Sequence, residues 1–186
     1  AEIIGKVPTT PESPDEGVIS AVRGSLAPDQ IANSQYFLHG TTVGLNSLLE
    51  RRGAKVGMLC TKGFRDVLEI RRADRDEAYN MFWQPPPLLV PRYLRIPIAG
   101  RLRADGQVHE RLSEDDVRNA VETFLAEDVA TIAVTFMNAY ANPVHEKRAV
   151  EILREEGFKG DISVSHQVSR EYREYERSTT TVIDAY

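Results

Sequence analysis

Cysteine is almost missing from this sequence, in which Cys60 is the one cysteine among 186 residues. A single thiol cannot form an internal disulfide, and it cannot supply the thiol cluster of a zinc or iron–sulfur site. A chain without disulfides suits a reducing compartment, so we expect a cytoplasmic protein. The four histidines lack the spacing of a ligand set, and the sequence therefore predicts no metal site.

Long apolar runs and an excess of basic charge are also missing. No apolar stretch approaches the ~20 residues that a membrane span needs, and the first residues lack a signal-peptide pattern. Lys and Arg total 23 against 28 Asp and Glu, which gives a net charge of −5. Because nucleic acids and membrane surfaces attract concentrated basic faces, we expect neither as a partner. The 41% of hydrophobic residues excludes a disordered chain.

Predicted strands and helices alternate along the chain. Strands are predicted at 2–7, 35–38, 55–60, 129–137 and 162–164. Helices are predicted at 18–23, 45–49, 67–72, after a Ser113–Asp116 capping box, from Asn142 to 156, and at 169–177. Segments 94–102 and 107–110 flank Asp105-Gly106, a dipeptide typical of a β-hairpin turn. This order predicts an α/β domain with a mostly parallel sheet and a hairpin insertion.

Neither end of the sequence has the signals with which domains usually begin or stop. The chain starts at Ala1 in a predicted strand and closes on the apolar segment 180–186, without a helix stop or a polar tail. We therefore expect residues 1–186 to be one domain, truncated at both ends, of a longer protein.

The strongest local pattern is a predicted strand followed by His39, Gly40, Thr41 and Thr42 and then a helix that carries Asn46. A glycine at the strand end allows a ligand to approach the main chain, and free N–H groups at a helix start attract anions. The two hydroxyls and the amide add neutral donors for phosphate or carboxylate oxygens. The structural alternative is that a threonine only caps the helix and His39 only ends the strand.

A second polar turn, Thr61 to Asp66, follows the next predicted strand. Ligands of open α/β sheets bind at the carboxyl ends of strands, so the two turns predict one edge of a cleft. Lys62 and Arg65 can meet an anion there. The structural alternative is that Asp66 caps a helix and pairs with Arg65.

Other polar residues are predicted to be structural. We expect Cys60 in the core, and His145 and Glu146 facing solvent or capping a helix. His109 and His166 have no partner at ligand spacing. The sequence contains no Walker-type phosphate loop, nucleophile elbow or dinucleotide fingerprint.

Four ordered blocks resemble the hydantoinase/oxoprolinase family. They are His39–Gly53, Thr61–Ile70, Tyr140–Glu146 and Ser169–Thr180, with Leu89–Arg92 in the expected place between them. The resemblance implies the large subunit of an ATP-dependent hydrolase of hydantoins, 5-oxoproline or related lactams. It also implies half of an actin/hexokinase-type ATPase domain with the ribonuclease-H-like α/β fold, joined by the rest of the large subunit and by a second subunit or a homo-oligomer.

The resemblance further implies ATP and Mg²⁺ as cofactors. The family's acidic, glycine-rich D-x-G-G-T-x-T-D segment lies upstream of Ala1, so we expect the chain alone to be inactive. Within the chain, the cleft residues carried over are His39, Gly40, Thr41, Thr42 and Asn46, to which the polar turn adds Lys62 and Arg65. Gly44-Leu45 stands where Ala-Thr is frequent, and Arg71 stands where Gly is frequent. No catalytic nucleophile is evident.

Two other functions stay open from the sequence. Acetone and acetophenone carboxylase subunits share the implied architecture, so the chain could belong to an ATP-dependent carboxylase. Alternatively, it could be a non-catalytic binding or assembly module with the Trp83 loop and the helix Tyr172–Arg177 as contact surfaces. The coding sequence upstream of Ala1 separates enzyme from module.

The Thr42→Val variant of the intact parent enzyme tests the threonine turn. The loss of one charge-assisted hydrogen bond costs about 1.5–3 kcal/mol, so we expect ATP-dependent turnover to fall roughly ten- to a hundredfold with the fold intact. A melting temperature that drops while kcat holds would identify Thr42 as a structural cap instead.

Overall fold

Residues 3–186 are described by the computed structural model, and they divide into two units after Val43. The first unit contains the helices α1 (Pro14–Ser25) and α2 (Pro28–Ala32). The predicted helix at 18–23 is confirmed within α1, which begins at a proline because the fixed φ of proline suits the first helical turn.

The two strands predicted in the first unit are wrong over their described residues, and Glu2 lies outside them. Residues 3–7 and 35–38 are irregular, and Tyr36, Phe37 and Leu38 are exposed. An apolar run becomes a strand when a neighbouring strand satisfies its N–H and C=O groups, and neither segment has one among the described residues.

The second unit has six strands and six helices among its described residues, counting the helix that begins at its border. In chain order they are α3 (Val43–Glu50), β1 (Val56–Thr61), α4 (Val67–Ile70), a 3₁₀ turn (Arg92–Leu94), β2 (Arg95–Ile98), β3 (Arg101–Leu102), β4 (Val108–Glu110), α5 (Glu114–Ala126), β5 (Thr131–Thr135), α6 (Val144–Glu155), β6 (Asp161–Val164), α7 (Ser165–Val168) and α8 (Glu174–Ala185). Four strands form a parallel sheet in the order β2-β1-β5-β6, and β3 and β4 form an antiparallel pair. The α/β class, the parallel sheet and the hairpin are thus confirmed, and the ATPase half-domain assignment stays a prediction.

Helices cover both faces of the sheet. Gly57 of β1 lies under the Phe124 ring of α5, and its register partner in β5 is Ile132. The neighbouring residue Thr131 points the other way and donates its hydroxyl to the carbonyl of Ala185 in α8 at 2.6 Å. Because side chains alternate along a strand, α5 and α8 lie on opposite faces. Coverage of both faces explains why β1 and β5 are almost continuously buried.

Strand β2 corrects the predicted hairpin, whose first arm was expected at 94–102. Residues 95–98 pair in parallel with β1, and the hairpin begins only at Arg101. Pro97 is compatible with β2 because this strand lies at the edge of the sheet, where a missing N–H costs no ladder bond. The turn itself is confirmed, since Gly106 has a φ of 85° and donates to the carbonyl of Arg103 at 2.9 Å.

The predicted starts of α5 and α6 are confirmed, but the hydrogen bonds at both starts differ from those expected. Ser113 Oγ accepts from the Asp116 amide at 3.2 Å, but the Asp116 carboxylate accepts from the Ala99 amide at 2.9 Å instead of closing a capping box. Asn142 Oδ1 accepts from the Val144 amide at 3.1 Å, and α6 begins at Val144 rather than at Asn142.

The helix predicted at 169–177 is wrong in its bounds. Residues 169–173 are irregular, and α8 runs from Glu174 to Ala185 through the segment without stop signals. Helix α8 forms where it can bury a face on the sheet, with Ser178, Thr181 and Val182 buried. No helix among residues 3–186 combines the length and the apolar character that a membrane crossing requires.

The Gly57→Ala variant tests the packing of α5 on β1. A Cβ at position 57 would lie 2.6 Å from Phe124, whose ring is fully buried and must shift. We expect a loss of about 1–3 kcal/mol in the free energy of unfolding, measured by denaturant titration. Gly24→Ala in α1 is the control, because that Cβ meets nothing within 4 Å. Equal stability of Gly57→Ala and the wild type would contradict this packing.

Candidate functional site

The sheet has a topological switch point between β1 and β5. The chain leaves β1 towards α4, which contacts α8, and leaves β5 towards α6, which contacts α5 on the other face. Connections that diverge from adjacent parallel strands leave a crevice at their carboxyl ends, where open α/β sheets bind ligands. The two strand ends are joined by a hydrogen bond from the Met137 amide to Thr61 Oγ1 at 2.9 Å.

The turn after β1 forms one wall of this crevice. Gly63 has a φ of 90°, and a Cβ there would meet nothing within 4 Å, so the main chain is open to a ligand. A cavity of about 210 Å³ is lined by Lys62, Gly63, Arg65, Asp66 and Pro97. The structure thus brings Lys62 and Arg65 to the same cavity.

Charge at this turn is predominantly positive. Asp66 binds Arg92 through two contacts of 3.0 Å, and Arg95 lies 3.6 Å away. Hydrogen bonding to the Arg92 guanidinium lowers the pKa of the Asp66 carboxyl. Arg65 is 3.9 Å from the same carboxylate, as the structural alternative allowed, but Asp66 makes no side-chain cap. Arg65 and the exposed Lys62 are therefore the cations best placed for an anion.

The other side of the carboxyl edge contains a buried carboxylate, Glu146. Its Oε1 accepts from the Phe136 amide at 2.9 Å and from the Ser165 hydroxyl at 2.6 Å. Its Oε2 accepts from the His166 amide at 3.0 Å and lies 2.7 Å from His166 Nδ1. Four donors on one carboxylate hold the ends of β5 and β6 together.

Arg177 is the buried cation of this network. Its Nε donates to Ser165 Oγ at 3.2 Å, and its Nη2 donates to the Phe136 carbonyl at 3.1 Å and to Glu174. The guanidinium also lies 5.5 Å from the ring centroid of Tyr140. Ser165 therefore bridges the two buried charges, because it donates to Glu146 and accepts from Arg177. We call Glu146, Ser165, His166, Glu174 and Arg177 the edge network.

His166 is the member of the edge network that could take part in proton transfer. In the tautomer with hydrogen on Nδ1, His166 donates a hydrogen bond to Glu146 Oε2, and the lone pair lies on Nε2. A carboxylate that fixes the tautomer and the orientation of an imidazole in this way makes it a candidate general base. The side chain is 11% exposed.

The edge network corrects three sequence interpretations. His145 and Glu146 do not face solvent, since both are buried, and burial lowers the pKa of His145. Arg177 lies in the core instead of on a contact surface. Apart from the local contact between Arg177 and Glu174, the partners in this network lie 10 to 41 residues apart in sequence, so helical or strand periodicity could not reveal them. One sequence feature pointed to these residues, because Glu146 and Arg177 each lie within one of the four blocks that resemble the family.

The remaining predicted site residues stay predictions. His39, Gly40, Thr41 and Thr42 are exposed and irregular in the first unit, where Thr41 Oγ1 accepts from the Val43 amide at 3.2 Å. Thr41, not Thr42, therefore has the local capping bond. Asn46 is an exposed residue of α3. The buried position of Cys60 is confirmed, and burial raises the pKa of its thiol to about 12.

Comparison with known proteins gives a consistent result. Residues 2–157 match the model of the hydantoinase/oxoprolinase N-terminal region. The chain belongs to the hydantoinase/oxoprolinase family. It is 37% identical over 188 residues to caprolactamase subunit alpha of Pseudomonas jessenii, with 95% of this chain and 27% of that protein covered. It is 34% identical over 203 residues to the acetophenone carboxylase gamma subunit of Aromatoleum aromaticum, with 98% of this chain and 28% of that protein covered.

A solved structure of this family has the same fold. The chain superimposes on the ATP-dependent caprolactamase of Pseudomonas jessenii with a TM-score of 0.81 and 36% identity, covering 100% of this chain and 29% of that one. The chain thus spans about a quarter of the length of the relatives that it matches. Family membership confirms the resemblance read from the four sequence blocks.

The Glu146→Gln variant tests the edge network. An amide group cannot accept from all four donors, so at least one buried N–H or O–H loses its partner, at a cost of about 1–3 kcal/mol. We expect a lower denaturant midpoint and altered NMR signals of the His166 ring. Glu151→Gln is the control on the same helix, because the Glu151 side chain is 61% exposed. Equal midpoints for the two variants would show that the network does not stabilise the fold.

Proposed function

We propose that the protein carrying this chain is an ATP-dependent hydrolase of cyclic amides, in which the turn after β1 binds phosphate groups. The observation that carries this proposal is the match to caprolactamase, which extends over essentially the whole chain in sequence and in fold. A cationic turn at the switch point of the sheet supports the phosphate site independently.

The residues present suit the phosphates of ATP. An open glycine turn with two cations next to it supplies charge and main-chain access. Among residues 3–186 no group of three or more acidic, histidine or cysteine side chains could hold a metal ion. We therefore assign no step to Mg²⁺ within this part of the chain.

The chemistry assigns distinct tasks to the two walls of the crevice. An unstrained amide carbonyl is a poor electrophile, and bound ATP would supply the phosphoryl group that activates its oxygen. Lys62 and Arg65 would orient and neutralise the phosphates, because phosphoryl transfer depends mainly on positioning and charge stabilisation. His166 would take the proton of an attacking water at Nε2 while Glu146 holds its Nδ1.

A carboxylase is the second candidate, supported by the 34% identity to the acetophenone carboxylase gamma subunit. The two functions separate when ADP release by the purified parent protein is measured with each substrate class. Stimulation by 5-oxoproline, hydantoin or caprolactam supports the hydrolase. Stimulation by acetone or acetophenone only in the presence of bicarbonate would overturn it in favour of the carboxylase.

One observation disfavours the non-catalytic module. Its second contact surface was expected at Tyr172–Arg177, and Arg177 is buried.

The Lys62→Met variant of the parent protein tests the phosphate wall. We expect kcat/KM for ATP to fall at least about tenfold, because a hydrogen bond between charged groups is lost. Lys159→Met is the control, since Lys159 is also exposed but lies before the amino end of β6, away from the carboxyl edge of the sheet. Unchanged kinetics in Lys62→Met would remove this turn from the phosphate site.

A further inference from the structure

A cavity of about 260 Å³ lies on the α8 face of the sheet, away from the crevice. Its apolar wall includes Leu68 of α4, Leu88, which follows Pro85–Pro87, and Val182 and Ile183 of α8. Its volume falls just below the range of about 300–1,000 Å³ that is typical of drug-sized ligand pockets. The cavity therefore suits a compact molecule with an apolar body.

Arg71 and Thr179 also line this cavity, and each has a buried polar atom without a hydrogen-bond partner among residues 3–186. These atoms are Arg71 Nη1 and Thr179 Oγ1. The other terminal nitrogen of Arg71 has one weak contact, 3.5 Å from the largely exposed Asp74 carboxylate. A buried donor without an acceptor is unfavourable, and a guanidinium that remains charged at every physiological pH favours an anionic acceptor.

The backbone at Arg71 gives an independent indication. Its φ of 56° and ψ of −130° lie in a region that favours glycine and is strained for a residue with a long side chain. Strain of this kind persists where the position of a side chain has a use. Here the strained backbone places the Arg71 side chain at the end of α4, where it lines the apolar cavity. The guanidinium has too few acceptors there for its N–H groups.

We infer that this cavity binds a small carboxylate with a compact apolar body, whose oxygens accept hydrogen bonds from Arg71 and Thr179. The apolar body lies against the leucine and valine side chains, and the carboxylate replaces the missing acceptors. The site lies on a face of the sheet, so it is separate from the proposed phosphate crevice and does not depend on the proposed reaction.

Calorimetric titration of the purified protein with cyclohexanecarboxylate tests this inference. We expect saturable binding, and binding at least about tenfold weaker for the neutral analogue cyclohexylmethanol, because an ionic hydrogen bond is lost. Arg71→Met should weaken carboxylate binding by a similar factor, and Thr179→Val by about threefold. The controls are Arg72→Met, since Arg72 pairs with Glu176, and Thr180→Val at the exposed neighbouring position.

Thermal unfolding without ligand distinguishes a binding role from a structural one. Arg71→Met removes an unsatisfied buried donor, so its melting temperature should equal or exceed that of the wild type. The inference is overturned if the carboxylate does not bind, if Arg71→Met binds it as the wild type does, or if Arg71→Met loses stability. It is also overturned if the structure of the longer protein shows one of its own segments filling the cavity.

Discussion

The link through Ser165 between two buried side chains, Glu146 and Arg177, is the constraint on which the carboxyl edge of the sheet depends. Isolated buried charges are strongly unfavourable, and these two are tolerated because Ser165 and main-chain groups satisfy them. The carboxylate takes main-chain donors from the ends of β5 and β6, and the guanidinium takes a main-chain acceptor from the end of β5. Both strand ends are therefore held in one geometry.

The geometry of these strand ends determines the position of His166 and of α8. The orientation of His166 follows from Glu146, and the start of α8 follows from the contact between Arg177 and Glu174. From there α8 crosses the sheet and is bonded to it near its other end through Thr131 and Ser163. A rigid network on one side of the crevice and an open glycine turn on the other combine fixed proton chemistry with access for a ligand.

Two features suited to different ligands thus occur on one small sheet. The turn after β1 is polar and cationic, and it lies at the switch point where α/β sheets bind phosphates. The cavity beside α8 is mostly apolar, and Arg71 and Thr179 are among its lining residues. Their separation follows from the topology, because the helices that diverge after β1 and β5 open the crevice at the edge, whereas α4 and α8 enclose the cavity on a face.

The sequence by itself determined the α/β class, the buried strands β1 and β5, the hairpin turn at Asp105-Gly106 and the family, because these depend on local patterns and ordered blocks. It also indicated Lys62 and Arg65, which directly follow a strand. Only the tertiary structure decided the irregular conformation of 35–38, the separation of β2 from the hairpin, the start of α8 at Glu174 and the edge network. The physical reason is that strand formation and the burial of charge depend on partners distant in sequence, and periodicity contains no information about those partners.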